Sequence, residues 1–224
     1  MVTTTSRQNR VTPFGTFERT PHRGTLLGNR GDLHDRTGRI VKGWRGTRWI
    51  SCALDAGDGF RVTFDTPGHY TPLFFADEAV ALAAGHRPCH QCRRPAFDRF
   101  VAAWAHSHDA PERKFRVTEI DPELHAARLD QAGHHRTHRA RFGDLPDGAF
   151  YHALLDGPGR SKTAFLQWGG YAYPFSHAGY GNPLLVQPCS VVDVLTSIPM
   201  IAILRAGYVP TVDLLALHRL PRPD

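Results

Sequence analysis

The sequence predicts an α+β fold: a small antiparallel sheet with attendant helices, followed by a mainly β half that is closed by one helix. Three observations carry this expectation. Short β-branched and aromatic runs, separated by Gly-rich breaks, fill the stretches before residue 76 and after residue 148. Between them lie three segments with helix-forming composition or periodicity. A hydrophobic content of 41% with 10% aromatics supports a proper core and excludes a disordered tail, a coiled coil or a collagen-like fibre.

Residues 1–23 are polar and without period, and are expected to be a flexible N-terminal segment. Gly-Asn-Arg-Gly at 28–31 and Asp-Arg-Thr-Gly at 35–38 mark turns. Strands are expected at Ile40–Trp44, Arg48–Leu54, Phe60–Phe64 and Tyr70–Phe75, with a hairpin turn at Ala56–Gly59. Asp77–Ala84 then reads as a helix with acids in its first turn, Gly85 as its C-cap and Pro88 preventing resumption. A second helix over Pro95–His106 places Phe97, Phe100, Val101 and Trp104 on one face, and a third is expected from Pro122 to Ala132. Residues 134–147 read as a basic linker that separates a module at 24–133 from a mainly β region at 148–224. In that region, Ala149–Leu155, Ala164–Phe175 and Leu184–Val194 are strand-like, and Ile198–Arg205 reads as the closing helix. Gly85-His86-Arg87-Pro88 and Gly207-Tyr208-Val209-Pro210 repeat one helix stop, which we attribute to shared capping chemistry.

Charge placement says more than the net +6. Residues 1–50 hold ten Arg and Lys against three Asp and Glu, a net +7, and the remainder carries −1. Of the cations 24 are Arg, whose fork suits phosphate, although a GC-rich codon usage would also favour Arg. No apolar run approaches the roughly 18–20 residues that a membrane span needs, and Met1–Arg10 lack a signal-peptide core. A soluble, cytoplasmic protein is expected.

Four cysteines stand at 52, 89, 92 and 189, where metal binding or burial is expected rather than disulfides. Cys89-x-x-Cys92 after Pro88 points two thiolates at one tetrahedral ion, and the following helix favours their ionised form. A redox dithiol is the competing reading, but it belongs between a strand and a helix of a βαβ unit. Pro88-Cys89-x-x-Cys92 also fits half of the zinc deaminase signature. The general-acid Glu is missing after Cys52, His69 and His34 alike.

Phe74-Phe75, the helix behind them and its Ala84-Gly85-His86-Arg87-Pro88-Cys89-His90-Gln91-Cys92-Arg93 end resemble the zinc-binding domain of the Ada DNA-repair proteins. The resemblance spans about 45 residues, Arg48–Arg94. It implies that Cys89 and Cys92 are zinc ligands and that Arg48–Cys52 is the strand carrying the first cysteine pair. The family has a second cysteine four residues along that strand, where this chain has Ala56. The fourth ligand must come from His34, His69, His90 or Cys189, and we favour His34 on its Gly-rich turn. Three thiolates and a neutral His leave a Zn²⁺ site at −1, less nucleophilic than four thiolates, so alkyl transfer is disfavoured and structural zinc is expected.

Two functions follow as expectations. The first is a zinc protein that binds nucleic acid, DNA in preference to RNA, in repair or modification. Arg23, Arg30, Arg36, Arg39, Arg45 and Arg48 would contact phosphates, and Arg87, Arg93 and Arg94 would extend that face. The second is an enzyme with a structural zinc and a pocket between the halves, lined by His138, His152, His177 or the Tyr/Trp cluster. His134–Arg141 is the densest cationic stretch, either a phosphate grip or a solvated linker. Trp168, Tyr171, Tyr173, Phe175 and Tyr180 would stack bases or, as alternating strand residues, fill the core.

Overall fold

A computed structural model describes residues 7–55, 62, 66, 68–154 and 162–213. Two sheets and four helices make up the architecture. The first sheet contains β1 (Gln8–Val11), β2 (Phe17–Arg19), β3 (Leu26–Asn29), β4 (Ile50–Ala53), β5 (Leu73–Phe75) and β6 (Arg87–Pro88), in the order β2-β1-β5-β3-β4-β6. Between β5 and β6 runs α1 (Glu78–Ala83), and after β6 come α2 (Arg94–Ser107) and α3 (Val117–Arg128). The second sheet contains β7 (His138–Arg141), β8 (Phe150–Leu154), β9 (Lys162–Trp168), β10 (Tyr171–Ser176), β11 (Gly179–Tyr180), β12 (Leu184–Leu185) and β13 (Val191–Val194). Its order is β11-β10-β9-β8-β13-β7, with β12 on β10, and α4 (Ile198–Arg205) follows. No helix among the described residues is long and apolar enough to cross a membrane.

The period-2 alternation of β8, β9 and β10 buries both faces of the second sheet. Phe150, Ala164, Leu166 and Tyr173 face a core shared with Val11, Leu73, Phe75 and α1. Their neighbours Tyr151, Phe165 and Ala172 face a second core built with Phe100, Trp104, Ile120, Leu124 and α4. The second sheet is therefore a middle layer, with the first sheet and α1 on one side and the other helices beyond. Gly169 and Gly170, both at positive φ (57° and 80°), make the two-residue turn that pairs Trp168 with Tyr171.

Three expectations about organisation change. Residues 8–19 form a hairpin rather than a flexible segment, because β1 pairs with β5 through Arg10 and Phe74 and Asn9 donates to the Pro72 carbonyl. The basic stretch 134–147 is no linker: His138–Arg141 pairs with Val191–Val194, and His135 is tied to the Leu195 carbonyl. Both cores draw on residues from either side of it, so 24–133 and 148–224 share their interior. The third helix begins five residues early. The Glu119 carboxylate accepts from the Arg116 amide and the Glu119 amide donates to the Arg116 carbonyl, which starts the helix there and leaves Pro122 inside it rather than at its start. The expected strand at Phe60–Phe64 and the turn at Ala56–Gly59 lie largely or wholly outside the described residues.

The repeated helix stop has one geometry in both places. Gly85 donates to the Leu82 carbonyl and His86 to that of Ala81; Gly207 donates to Leu204 and Tyr208 to Ile203. Both glycines sit at positive φ, 84° and 95°. Each is a Schellman motif. They differ in surroundings: a Cβ on Gly85 would lie 3.0 Å from Cδ of buried Arg128, whereas one on Gly207 meets nothing within 4 Å. Gly207→Ala should lose about 1 kcal/mol from left-handed strain alone, and Gly85→Ala at least about 1 kcal/mol more. Urea denaturation of the two variants tests this, and equal losses would mean that Arg128 simply yields.

Candidate metal centre

The parallel pairing of β4 with β6 builds this site. Ile50 lies beside Arg87 and Ser51 beside Pro88, so the next pair in register is Cys52 and Cys89. The Cys89 amide donates to the Ser51 carbonyl and holds that alignment (2.9 Å). Gly85 and Pro88 end α1 and turn the chain, and Cys92 follows immediately ahead of α2. The three sulfurs of Cys52, Cys89 and Cys92 lie within 4.8 Å of one another. Tetrahedral zinc with bonds near 2.3 Å spaces its sulfurs by about 3.8 Å, so the cluster needs little adjustment to close on an ion.

Backbone amides aim at the same atoms. Gln91 N–H donates to Cys89 Sγ and Ala53 N–H to Cys92 Sγ, each at 3.4 Å. The Cys52 thiol donates to Cys89, and with the Gln91 and Cys92 amides this holds Cys89 down to about 4. Cys52 is pushed up by that same hydrogen bond and by burial, and Cys92 chiefly by burial. Left to themselves the three sulfurs share one negative charge, because like charges this close oppose further ionisation. A divalent cation removes that opposition. A disulfide between any two would leave the third thiol stranded; a metal engages all three. The structure therefore has a three-cysteine group that can hold a metal ion.

Protein-family models, curated proteins and solved structures were compared with the chain, and none matches it.

Of the candidates for a fourth ligand, His34 is not brought to the sulfurs. Its Nδ1 lies 2.6 Å from Thr71 Oγ1, in a loop tied back to the start of β5. The side chain is buried there beside Asp32. His90 Nε2 accepts from Arg94 (2.9 Å) and its ring stands edge-on to Phe97, while Cys189 is exposed ahead of β13. Tyr70 was missed by sequence reasoning: Cys52 and Cys92 raise its hydroxyl electrostatically, after burial, so it lies in their field. No local pattern signals this, since the contact joins segments about 20 residues apart. His69 is its chain neighbour.

Of the nine arginines expected at a nucleic-acid surface, Arg23 is exposed ahead of β3, and the other eight divide. Arg36, Arg39, Arg45 and Arg48 are exposed, the first two flanking a turn in which Asp35 accepts from Thr37 and Arg39. Arg45 and Arg48 line a cleft of about 490 Å³ together with Val117 and Thr118 in the first turn of α3. Arg94 is exposed but paired with Asp98. The other three are corrections. Arg30 is buried, with its guanidinium over Trp49 at 4.2 Å and donating to His86 and the Gly15 and Ala84 carbonyls. Arg87 is buried in a two-point bond to Asp121 (2.6 and 2.9 Å). Arg93 donates to Glu78 and Ser51. These three cations hold the fold together rather than offering themselves to phosphate.

The histidines proposed for an enzyme pocket are dispersed. His138 lies in β7, His177 faces Glu18 in a cavity of about 280 Å³ between the first hairpin and β9–β10, and His152 lines a separate one of about 340 Å³. Among the described residues no second group of three metal-binding side chains gathers. Tyr173 and Tyr180 are core residues, which answers the stacking reading for those two.

Proposed function

We propose that this chain is a zinc protein of Ada-like type whose metal is structural and whose exposed arginines hold a nucleic-acid backbone. One observation carries it: the three cysteine sulfurs converge at β4, the strand into which the basic segment Arg36–Arg48 leads. Cys52, Cys89 and Cys92 would be thiolate ligands, and the fourth would come from His69, whose chain neighbour Tyr70 lies in the field of Cys52 and Cys92, or from His90 or Cys189. Bound there, Zn²⁺ would neutralise the thiolates and staple β4 to the start of α2. One neutral ligand keeps the site at −1 and the sulfurs poor nucleophiles, and their amide hydrogen bonds lower nucleophilicity further.

Arg45, Arg48 and the α3 N-terminus line a cleft that would take a phosphate, Asp121 in its wall being bonded to Arg87 and Arg45 lying 3.6 Å from Asp32, with Arg36 and Arg39 as further contacts. Retention of duplex and single-stranded DNA on filters across a salt series tests the reading. Four phosphate contacts predict a log–log slope of about −3 to −4, falling by about one unit in Arg45→Ala and in Arg48→Ala. Absence of retention at low salt, or salt slopes equal in wild type and variants, would refute it. Zinc content of His69→Ala, His90→Ala and Cys189→Ser beside His34→Ala decides the fourth ligand.

A further inference from the structure

A cavity of about 340 Å³ lies where the first sheet meets the C-terminal half. Its lining includes Arg30, Lys162, His135 and His152, and no carboxylate. An acid near this lining is Asp130, 3.5 Å from His134 at its rim, whereas Arg94 and Arg113 on the surface are each bonded to a carboxylate, Asp98 and Glu119. Two buried guanidiniums also lie behind the cavity. Arg30 gives its hydrogen bonds to neutral acceptors, the imidazole of His86 and two backbone carbonyls. Arg128, equally buried, lies across Trp49 from it, with the guanidinium 4.4 Å from the indole centroid and its Nη2 without a partner. Both guanidiniums are pushed down to about 9, first by burial; Arg128's positive charge lowers Arg30 further, while for Arg128 the Asp121 carboxylate opposes the shift and Arg87's charge adds to it. Two buried like charges separated by one aromatic ring favour an anion close by.

The remaining wall is aromatic. Trp44, 39% exposed, stands at the cavity with its indole edge-on to His125, and Phe14 lies opposite, 5.8 Å from the His152 ring. Trp49 has both faces occupied by guanidiniums, so Trp44 and Phe14 are the rings with surface to offer. The volume sits at the small end of the roughly 300–1,000 Å³ of small-molecule sites, room for one nucleotide unit rather than a dinucleotide.

From this cavity we propose that the chain binds one phosphate-bearing nucleobase unit, its phosphate toward Lys162 and His152 and its base against Trp44. The inference does not rest on the metal or on the exposed arginines, which lie outside the cavity. The unit can come from a free mononucleotide or from a residue within a single strand.

Thermal shift and calorimetry with AMP, UMP, adenosine, inorganic phosphate and a short oligo-dT test it on the full chain. A mononucleotide at about 100-fold above its Kd should raise Tm by roughly 5 °C or more, with adenosine and phosphate alone giving far less. Trp44→Ala and Lys162→Ala remove exposed side chains and should fold, and each should weaken binding at least about tenfold. If only the oligonucleotide binds, and both variants weaken it while Arg45→Ala does not, the unit belongs to a strand. Silence in both arms, an equal response to inorganic phosphate, or binding indifferent to both variants overturns the proposal. Loss of duplex retention in Arg45→Ala and Arg48→Ala reports on the surface reading alone, so the two fail separately.

Discussion

Cys89→Ser is expected to abolish stoichiometric zinc and to lower Tm by about 10 °C, and prolonged chelation of the wild type should do the same. The reasoning starts from the ligand geometry. Cys89 lies at the centre of the cluster, next in register to Cys52 and three residues from Cys92, and it is the sulfur that carries the negative charge before any metal arrives. Serine replaces the thiolate with a weak, neutral ligand and leaves two amides, those of Gln91 and Cys92, and the Cys52 thiol with a poorer acceptor. In small zinc peptides the metal contributes on the order of 10–16 kcal/mol of folding free energy. Here two apolar cores persist without it, so a loss nearer 3–5 kcal/mol is expected, which for a chain of this size is roughly 10 °C. With His69 as the fourth ligand, Cys189→Ser, at an exposed position outside the cluster, should change neither zinc nor Tm. Full zinc content in Cys89→Ser would sink the metal assignment.

Arg87→Met should be nearly as damaging, for a different reason. Arg87 and Asp121 are 2% and 5% exposed and bonded at two points, tying β6, which leads into the Cys89–Cys92 loop, to α3. Removing the guanidinium strands a carboxylate in the interior, which typically costs about 3–5 kcal/mol. Most of that loss belongs to the stranded charge rather than to the bond. The double variant Arg87→Met with Asp121→Leu should therefore recover much of the stability by urea denaturation. A double variant as unstable as the single one would show that Arg87 acts mainly through its packing on Phe97, where the guanidinium lies 5.5 Å from the ring centroid.

Much of the local structure was legible in the chain. Helix α4 was read with its observed limits, α2 within a residue at each end, and the shared stop of α1 and α4 was attributed to capping, which the hydrogen bonds of Gly85 and Gly207 bear out. Capping residues, proline and the helical period act within a few residues, so their effect is written in consecutive positions. The Cys52, Cys89 and Cys92 group was also read correctly, because cysteine pairs at ligand spacing beside a strand cysteine have few other uses.

What depended on contacts between distant segments was not legible. Residues 8–19 look like a polar tail until β5 offers them a strand edge, and His138–Arg141 looks like a linker until β13 pairs with it. The arginines show the distinction most clearly. Arg30 and Arg45 are indistinguishable in the chain, yet one is sealed between Trp49 and His86 while the other faces solvent. Composition determined that the first fifty residues carry +7. Tertiary packing decided where that charge lies, because burying a cation depends on acceptors and aromatic faces that only the folded chain assembles around it.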